Sequence, residues 1–101
     1  MNSSAPQFTV DYFIAKFEAI PEEEWCEGEY VSSDGRKCAL GHCGHSPFGL
    51  TFEREALINL FKKSGLYASD INDGKHSKYQ QPTPKQRILA ALRDIKERQS
   101  K

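Results

Sequence analysis

Long apolar runs and an export signal are both missing from this sequence of 101 residues. No stretch approaches the roughly 20 apolar residues that a membrane-spanning helix needs. The N-terminus has no basic segment followed by an apolar one, which a secretory signal would require. Cysteine is scarce as well: three residues, an odd number, favour free thiols over a disulfide framework. We therefore expect a cytoplasmic protein that does not contact a membrane.

Apolar and aromatic residues are present in globular amounts. Hydrophobic residues make up 38% of the chain and aromatic residues 11%, more than disordered chains usually carry. We predict a single domain over residues 1–101, with frayed ends at residues 1–7 and 98–101. The formal net charge is zero, although acids dominate the first half and bases the second. A neutral total argues against nucleic acid as a partner. The alternative is a nucleic-acid surface built from Lys75, Lys78, Lys85, Arg87 and Arg93.

Three segments carry the signals of amphipathic helices, each with a threonine N-cap ahead of apolar residues at helical spacing. The predicted caps are Thr9, Thr51 and Thr83. The predicted helices cover residues 9–19, 52–64 and 83–97. The second helix should bury Phe52, Leu57, Leu60 and Phe61. Shorter helical pieces are expected directly after Cys38 and between Leu66 and Asp73.

A β-hairpin is predicted between the first two long helices, because Asp34-Gly35 lies between two short runs, residues 29–32 and 37–40, that would form its strands. With these two residues at the centre of the turn, Val31 pairs with Cys38. Alternation then places Val31, Cys38 and Leu40 on one apolar face, so the Cys38 side chain should lie in the core. The predicted fold class is α+β and mostly α, with about three helices packed around this small β-hairpin.

The densest group of reactive side chains lies around Cys38. Zinc is bound by thiolate and imidazole ligands in a tetrahedron, and the candidate ligands here are Cys26, Cys38, Cys43 and His45, with His42 as the alternative to His45. Their spacing is poor, since structural zinc sites usually pair ligands two to four residues apart. A second hypothesis makes Cys38 a catalytic nucleophile with a histidine as base. No acid–base pair stands at a spacing that enforces this geometry, so we expect neither zinc nor an enzyme.

Other side chains suit a ligand or a partner. The candidate binding residues are Trp25, Tyr67, Asn72, Asp73, Lys75, His76, Lys78 and Tyr79. Aromatic residues interleaved with basic ones are typical of surfaces that bind phosphate-bearing partners. The alternatives are a core position for Trp25 and a turn at Asn72-Asp73-Gly74.

Three short motifs follow one another in a distinctive order. They are Trp25-Cys26-x-Gly28, Cys38-Ala39-Leu40-Gly41 and Ile71-Asn72-Asp73. This order resembles a group of small uncharacterised bacterial and phage proteins with the pattern WCxG…CALG…ND, over about residues 12–95. In that group the residues after CALG are commonly apolar or small, whereas this chain has His42-Cys43-Gly44-His45. A metal site would therefore be particular to this chain.

The resemblance implies a fold and a phage or mobile-element context, but no activity. The leading hypothesis is a non-enzymatic binding or regulatory module that acts on another protein or a small ligand. A zinc-stabilised domain and a small cysteine-dependent enzyme are the alternatives.

Overall fold

The computed structural model describes residues 8–44 and 51–100. Within them, five α-helices are present: α1 (Val10–Glu18), α2 (Ala39–His42), α3 (Phe52–Lys62), α4 (Ala68–Asn72) and α5 (Pro84–Gln99). One 3-10 helix, Glu22–Glu24, follows α1. The predicted fraying of residues 1–7 lies outside the described residues, and α5 continues through Gln99. No helix in the described part of the chain is long and apolar enough to cross a membrane.

The three long helices begin at the predicted threonine caps. The hydroxyl of Thr9 accepts a hydrogen bond from the Tyr12 backbone N–H at 3.1 Å. Thr51 and Thr83 do the same for the third residue after each of them, also at 3.1 Å. Each cap satisfies a backbone donor that the first turn of a helix leaves without a partner. The predicted helix starts are therefore confirmed.

The α+β prediction is wrong, because the described residues contain no β-strand and hence no hairpin. Val31 and Trp25 each form only an isolated bridge with Lys37. The Lys37 N–H bonds to the Glu24 carbonyl at 3.0 Å, and its carbonyl accepts the Cys26 N–H at 3.0 Å. Lys37 is thus held by Glu24 and Cys26, in the segment that follows α1, and α2 begins at Ala39. The predicted second strand therefore cannot form, because its second half is the start of α2.

The core lies between the helices, with α1 packed along α5. Its completely buried side chains are Phe13, Phe17, Leu57, Phe61, Ile71, Ile88, Ala91 and Leu92. Phe52 is the exception to the predicted core, because it is 85% exposed. It lies five residues before Leu57, about 140° around the helix at 3.6 residues per turn. The predicted Leu57 and Phe61 are buried and Leu60 is partly buried, while Arg54 joins them on the buried face of α3.

Candidate functional site

Asn72, at the end of α4, connects three parts of the chain from a position that is 1% exposed. Its Oδ1 accepts the backbone N–H of Ala39 at 3.0 Å, at the start of α2. Its Nδ2 donates to the Cys26 carbonyl at 3.0 Å and to Asp73 Oδ1 at 2.9 Å. A buried amide satisfied at both ends fixes its neighbours strongly, because breaking it leaves polar groups without water.

Asp73 also contacts the loop of residues 26–36, which follows Trp25. Its Oδ1 accepts the Gly28 backbone N–H at 3.0 Å as well as the Asn72 amide. Gly28 has a φ of +83°, in the left-handed region that side chains other than glycine rarely adopt. The second carboxylate oxygen, Oδ2, receives no hydrogen bond from any residue described. One oxygen of Asp73 therefore positions the loop, and the other can accept a further hydrogen bond.

Arg87 of α5 contacts the same end of α4 and is 6% exposed. Its Nη2 donates to the Asn72 carbonyl at 2.7 Å, and its Nη1 donates to the Gln81 carbonyl at 2.8 Å. Nη2 also forms an ion pair with Glu27 in the loop. A guanidinium can satisfy several acceptors at once because its donors form a rigid planar fork. Arg87 is therefore structural, although the sequence offered it as a phosphate contact.

The loop is pressed against α2 at Gly41. A Cβ atom added to Gly41 would lie 2.1 Å from the carbonyl oxygen of Tyr30, which is far closer than real contacts allow. The same Tyr30 carbonyl accepts the Cys38 N–H at 3.2 Å. The Cys38 Sγ in turn caps α2 by accepting the Gly41 N–H at 3.4 Å. Cys38 is buried as predicted, but as a helix cap and not as part of a hairpin face.

These contacts leave an open cleft of about 380 Å³ between the loop and α4. Its lining residues are Gly28, Glu29, Tyr30, Cys38, Leu40, Ser69, Asn72 and Asp73. Pockets that bind small molecules have volumes of roughly 300–1,000 Å³. The cleft falls in this range, and its lining combines apolar side chains such as Leu40 with a few polar groups.

The three thiols are all buried and free. Burial raises the pKa of Cys38, although hydrogen bonds from the backbone of Gly41 and Leu40 partly oppose the rise. Burial also raises the pKa of Cys26 and raises that of Cys43 to about 12. A thiol with a raised pKa stays protonated at neutral pH and is a weak nucleophile. These surroundings do not favour thiolate chemistry.

His42, one of the histidines considered as a base, is engaged elsewhere. Its Nε2 lies 3.0 Å from the Glu24 carbonyl, and its ring centroid lies 4.9 Å from that of Trp25. Burial lowers the pKa of this imidazole. The ring therefore serves as a packing partner of Trp25 with one polar contact.

The zinc site stays an alternative, because one of its candidate ligands, His45, lies outside the described residues. Among the residues described, no group of three or more His, Cys, Asp or Glu side chains is arranged to hold a metal ion. The Cys26 thiol donates to the carbonyls of Glu29 at 3.4 Å and Arg36 at 3.5 Å. The Cys38 sulfur is used in the cap of α2.

Asn72 and Asp73 are the two predicted binding residues that line the cleft. Trp25 is 2% exposed in the core, where its Nε1 donates to the Ile20 carbonyl at 3.4 Å. Tyr67 is exposed immediately before α4, and Lys75 is exposed beyond its end.

The remaining three form a separate group beside α5. Tyr79 is buried, and its hydroxyl donates to Asp94 at 2.7 Å. Lys78 pairs with the same carboxylate at 3.3 Å, and His76 packs its ring 5.4 Å from that of Tyr79. These contacts satisfy Lys78 and Tyr79 within the chain.

Sequence reasoning missed Glu29, Tyr30, Leu40 and Ser69 as residues of the site. Glu29 and Tyr30 were assigned to a strand, and Ser69 carried no signal of its own. Two lining residues were nevertheless marked in the sequence, because Gly28 belongs to the Trp25-Cys26-x-Gly28 motif and Asp73 to the Ile71-Asn72-Asp73 motif.

No family model matches the chain, and neither a curated protein nor a solved structure is significantly similar to it. The functional interpretation therefore depends on the geometry of the cleft.

Proposed function

We propose that the protein is a non-enzymatic binding module, active in the cytoplasm, whose cleft receives part of a partner protein or a small ligand. The cleft is the observation that carries this proposal. It is open, of ligand size, and bordered by exposed Glu29 and by Tyr30, which is 46% exposed. A large aromatic side chain left half in solvent at the edge of a cavity is typical of a surface that binds something.

The rigidity of the walls supports the proposal. One wall is the loop held by Asp73 and Gly41, and the other is α4, which ends at Asn72. Because Asn72 bonds to both α2 and the loop, the walls cannot separate without exposing buried polar groups. A cleft whose walls are fixed in advance binds with a smaller ordering cost.

The buried thiols favour binding over catalysis by cysteine. Cys38 is the reactive side chain that lines the cleft, and burial raises its pKa. A nucleophile requires the opposite shift, or a base within reach.

Internal contacts of the basic residues favour a protein or small-molecule ligand over nucleic acid. Arg87 is buried, and Lys85 donates to the Glu18 carbonyl at 3.1 Å. Arg93 forms an ion pair with the Glu18 side chain, and Lys78 pairs with Asp94. The proposal includes the phage or mobile-element context that the resemblance implies.

The test fills the cleft with a bulky side chain. Ser69 is exposed on α4 and lines the cleft, so Ser69→Trp should occupy it without entering the core. Ser77→Trp places the same side chain at an exposed loop position outside the cleft and serves as the control. Ligands are selected from a displayed peptide library and a fragment library, and their sites are mapped by amide chemical shifts.

We expect selected ligands to shift the amides of residues 28–30 and 69–73. They should lose binding to Ser69→Trp and keep it with Ser77→Trp, while both variants retain wild-type unfolding in urea. If Ser69→Trp is unstable, Tyr30→Ala provides a second test by removing an aromatic side chain that lines the cleft. Ligands that bind Ser69→Trp as well as wild type, or that map to another surface, contradict the proposal.

A further inference from the structure

We infer that the cleft accepts the side chain of an arginine or lysine from a partner protein. This inference depends on the proposed function, because it assigns the chemistry of the ligand to the same cleft. Three features carry it: the acidic residues of the lining, the apolar residues of the lining, and the exposed aromatic residues of the described chain.

Glu29 and Asp73 are the two acidic residues that line the cleft. Glu29 is exposed, and its carboxylate forms no ion pair with the residues described. Asp73 uses Oδ1 for Gly28 and Asn72, which leaves Oδ2 available. The neighbouring Glu27 is already neutralised by Arg87. Arg54, which stacks on Tyr30, brings one positive charge against the two carboxylates, so the net charge of these three groups is negative and a cationic group complements it.

Leu40 and Cys38 form the apolar part of the cleft lining. Arginine and lysine carry a stem of methylene groups below a charged head, and such side chains bury the stem while the head stays in polar surroundings. A lining that contains both apolar and acidic residues fits this division. A wholly apolar ligand would offer no charge complement to either carboxylate.

Exposed aromatic side chains point to a protein as the source of the cation. The large hydrophobic residues exposed in the described part of the chain are Tyr30, Phe52 and Tyr67. Tyr30 lines the cleft, and Tyr67 lies two residues before Ser69, which also lines it. Two residues after Phe52, the Arg54 guanidinium stacks 5.0 Å from the centre of the Tyr30 ring. Aromatic residues are enriched where proteins meet.

The stacked Arg54 also limits how an incoming cation is held. It already lies over the Tyr30 ring, at the distance of a cation–π contact. The incoming group should therefore depend on Glu29 and Asp73 for its charge complement. This dependence makes the inference testable by changing charge alone.

The probe is acetyl-Gly-Gly-Arg-Gly-Gly-amide, compared with the same peptide carrying citrulline, which keeps the shape of arginine and removes its charge. Binding is measured by amide chemical-shift titration at low and at high sodium chloride. We expect the arginine peptide to shift residues 28–30, 69 and 73 and to bind about threefold to fivefold more tightly than the citrulline peptide, as for a partly exposed ion pair. High salt should remove the difference.

Glu29→Gln should also remove the difference between the two peptides. The matched control is Glu97→Gln, an exposed glutamate ten residues beyond Arg87 on α5, about 15 Å further along the helix. This control should keep the difference.

Equal binding of the two peptides overturns the inference and leaves the proposed function standing. Free argininamide that binds as tightly as the peptide overturns the assignment to a partner protein, because a small cation would then suffice. Cleft ligands from the libraries that are all acidic or neutral also overturn it. A failure of the proposed function itself looks different, since no library ligand would then map to the cleft.

Discussion

Replacing Asn72 with alanine should lower the free energy of unfolding by about 3 kcal/mol. The side chain makes three hydrogen bonds, to Ala39, Cys26 and Asp73, each worth about 1 kcal/mol net. The bond to Ala39 is the most costly to lose, because its N–H is left buried without an acceptor. The total is a large part of the 5–15 kcal/mol that stabilises a typical domain.

The assay is equilibrium unfolding in urea, with the free energy extrapolated to water. Asn59→Ala is the matched control, because Asn59 is exposed on α3 and the same substitution there should change stability by less than about 0.7 kcal/mol. An unchanged slope in urea would show that the two unfolding reactions are comparable. A loss below about 1 kcal/mol for Asn72→Ala would refute the role of Asn72 as the connection between α2, α4 and the loop.

Two further predictions concern the packing of the loop and the behaviour at high pH. Gly41→Ala should cost about 3 kcal/mol in urea unfolding, because the added carbon meets the Tyr30 carbonyl. Gly28→Ala, which meets no atom within 4 Å, should cost only the left-handed backbone, about 1–2 kcal/mol, and equal losses would contradict the steric reason. Burial and the hydrogen bond to Asp94 raise the pKa of Tyr79 from 10.0 to about 12, so its contribution is complete below pH 10 and is lost as pH rises towards 12. The stability difference between wild type and Tyr79→Phe should therefore shrink over that range, and a constant difference would speak against the Tyr79–Asp94 bond.

Local signals in the sequence were sufficient to place the long helices. Thr9, Thr51 and Thr83 act through bonds to residues three positions away, so neighbouring sequence contains all the information that a cap needs. The same holds for the buried stripe of α5, where Ile88, Leu92 and their neighbours repeat at helical spacing.

The hairpin failed because its outcome depended on distant partners. Asp34-Gly35 does form part of a turn, in which the Gly35 N–H donates to the Ser32 carbonyl at 3.0 Å. The segment after it does not form the predicted strand, because Lys37 bonds to Glu24 and Cys26. Turn chemistry is local, but the choice of pairing partner is not.

The cleft was only partly predictable for the same reason. Asn72 and Asp73 were singled out as a turn or binding pair, yet their main contacts are with residues 33–46 positions away in sequence. No periodicity encodes a contact of that separation. Glu29 and Ser69 become neighbours of the cleft only because these long-range bonds form.

The most direct test of the account is a crystal structure of the protein with a peptide selected against it. The account predicts that the peptide lies across the cleft, with a basic side chain over Leu40 and its charged group near Glu29 and Asp73. A peptide seated on another face, with the cleft empty, would contradict it.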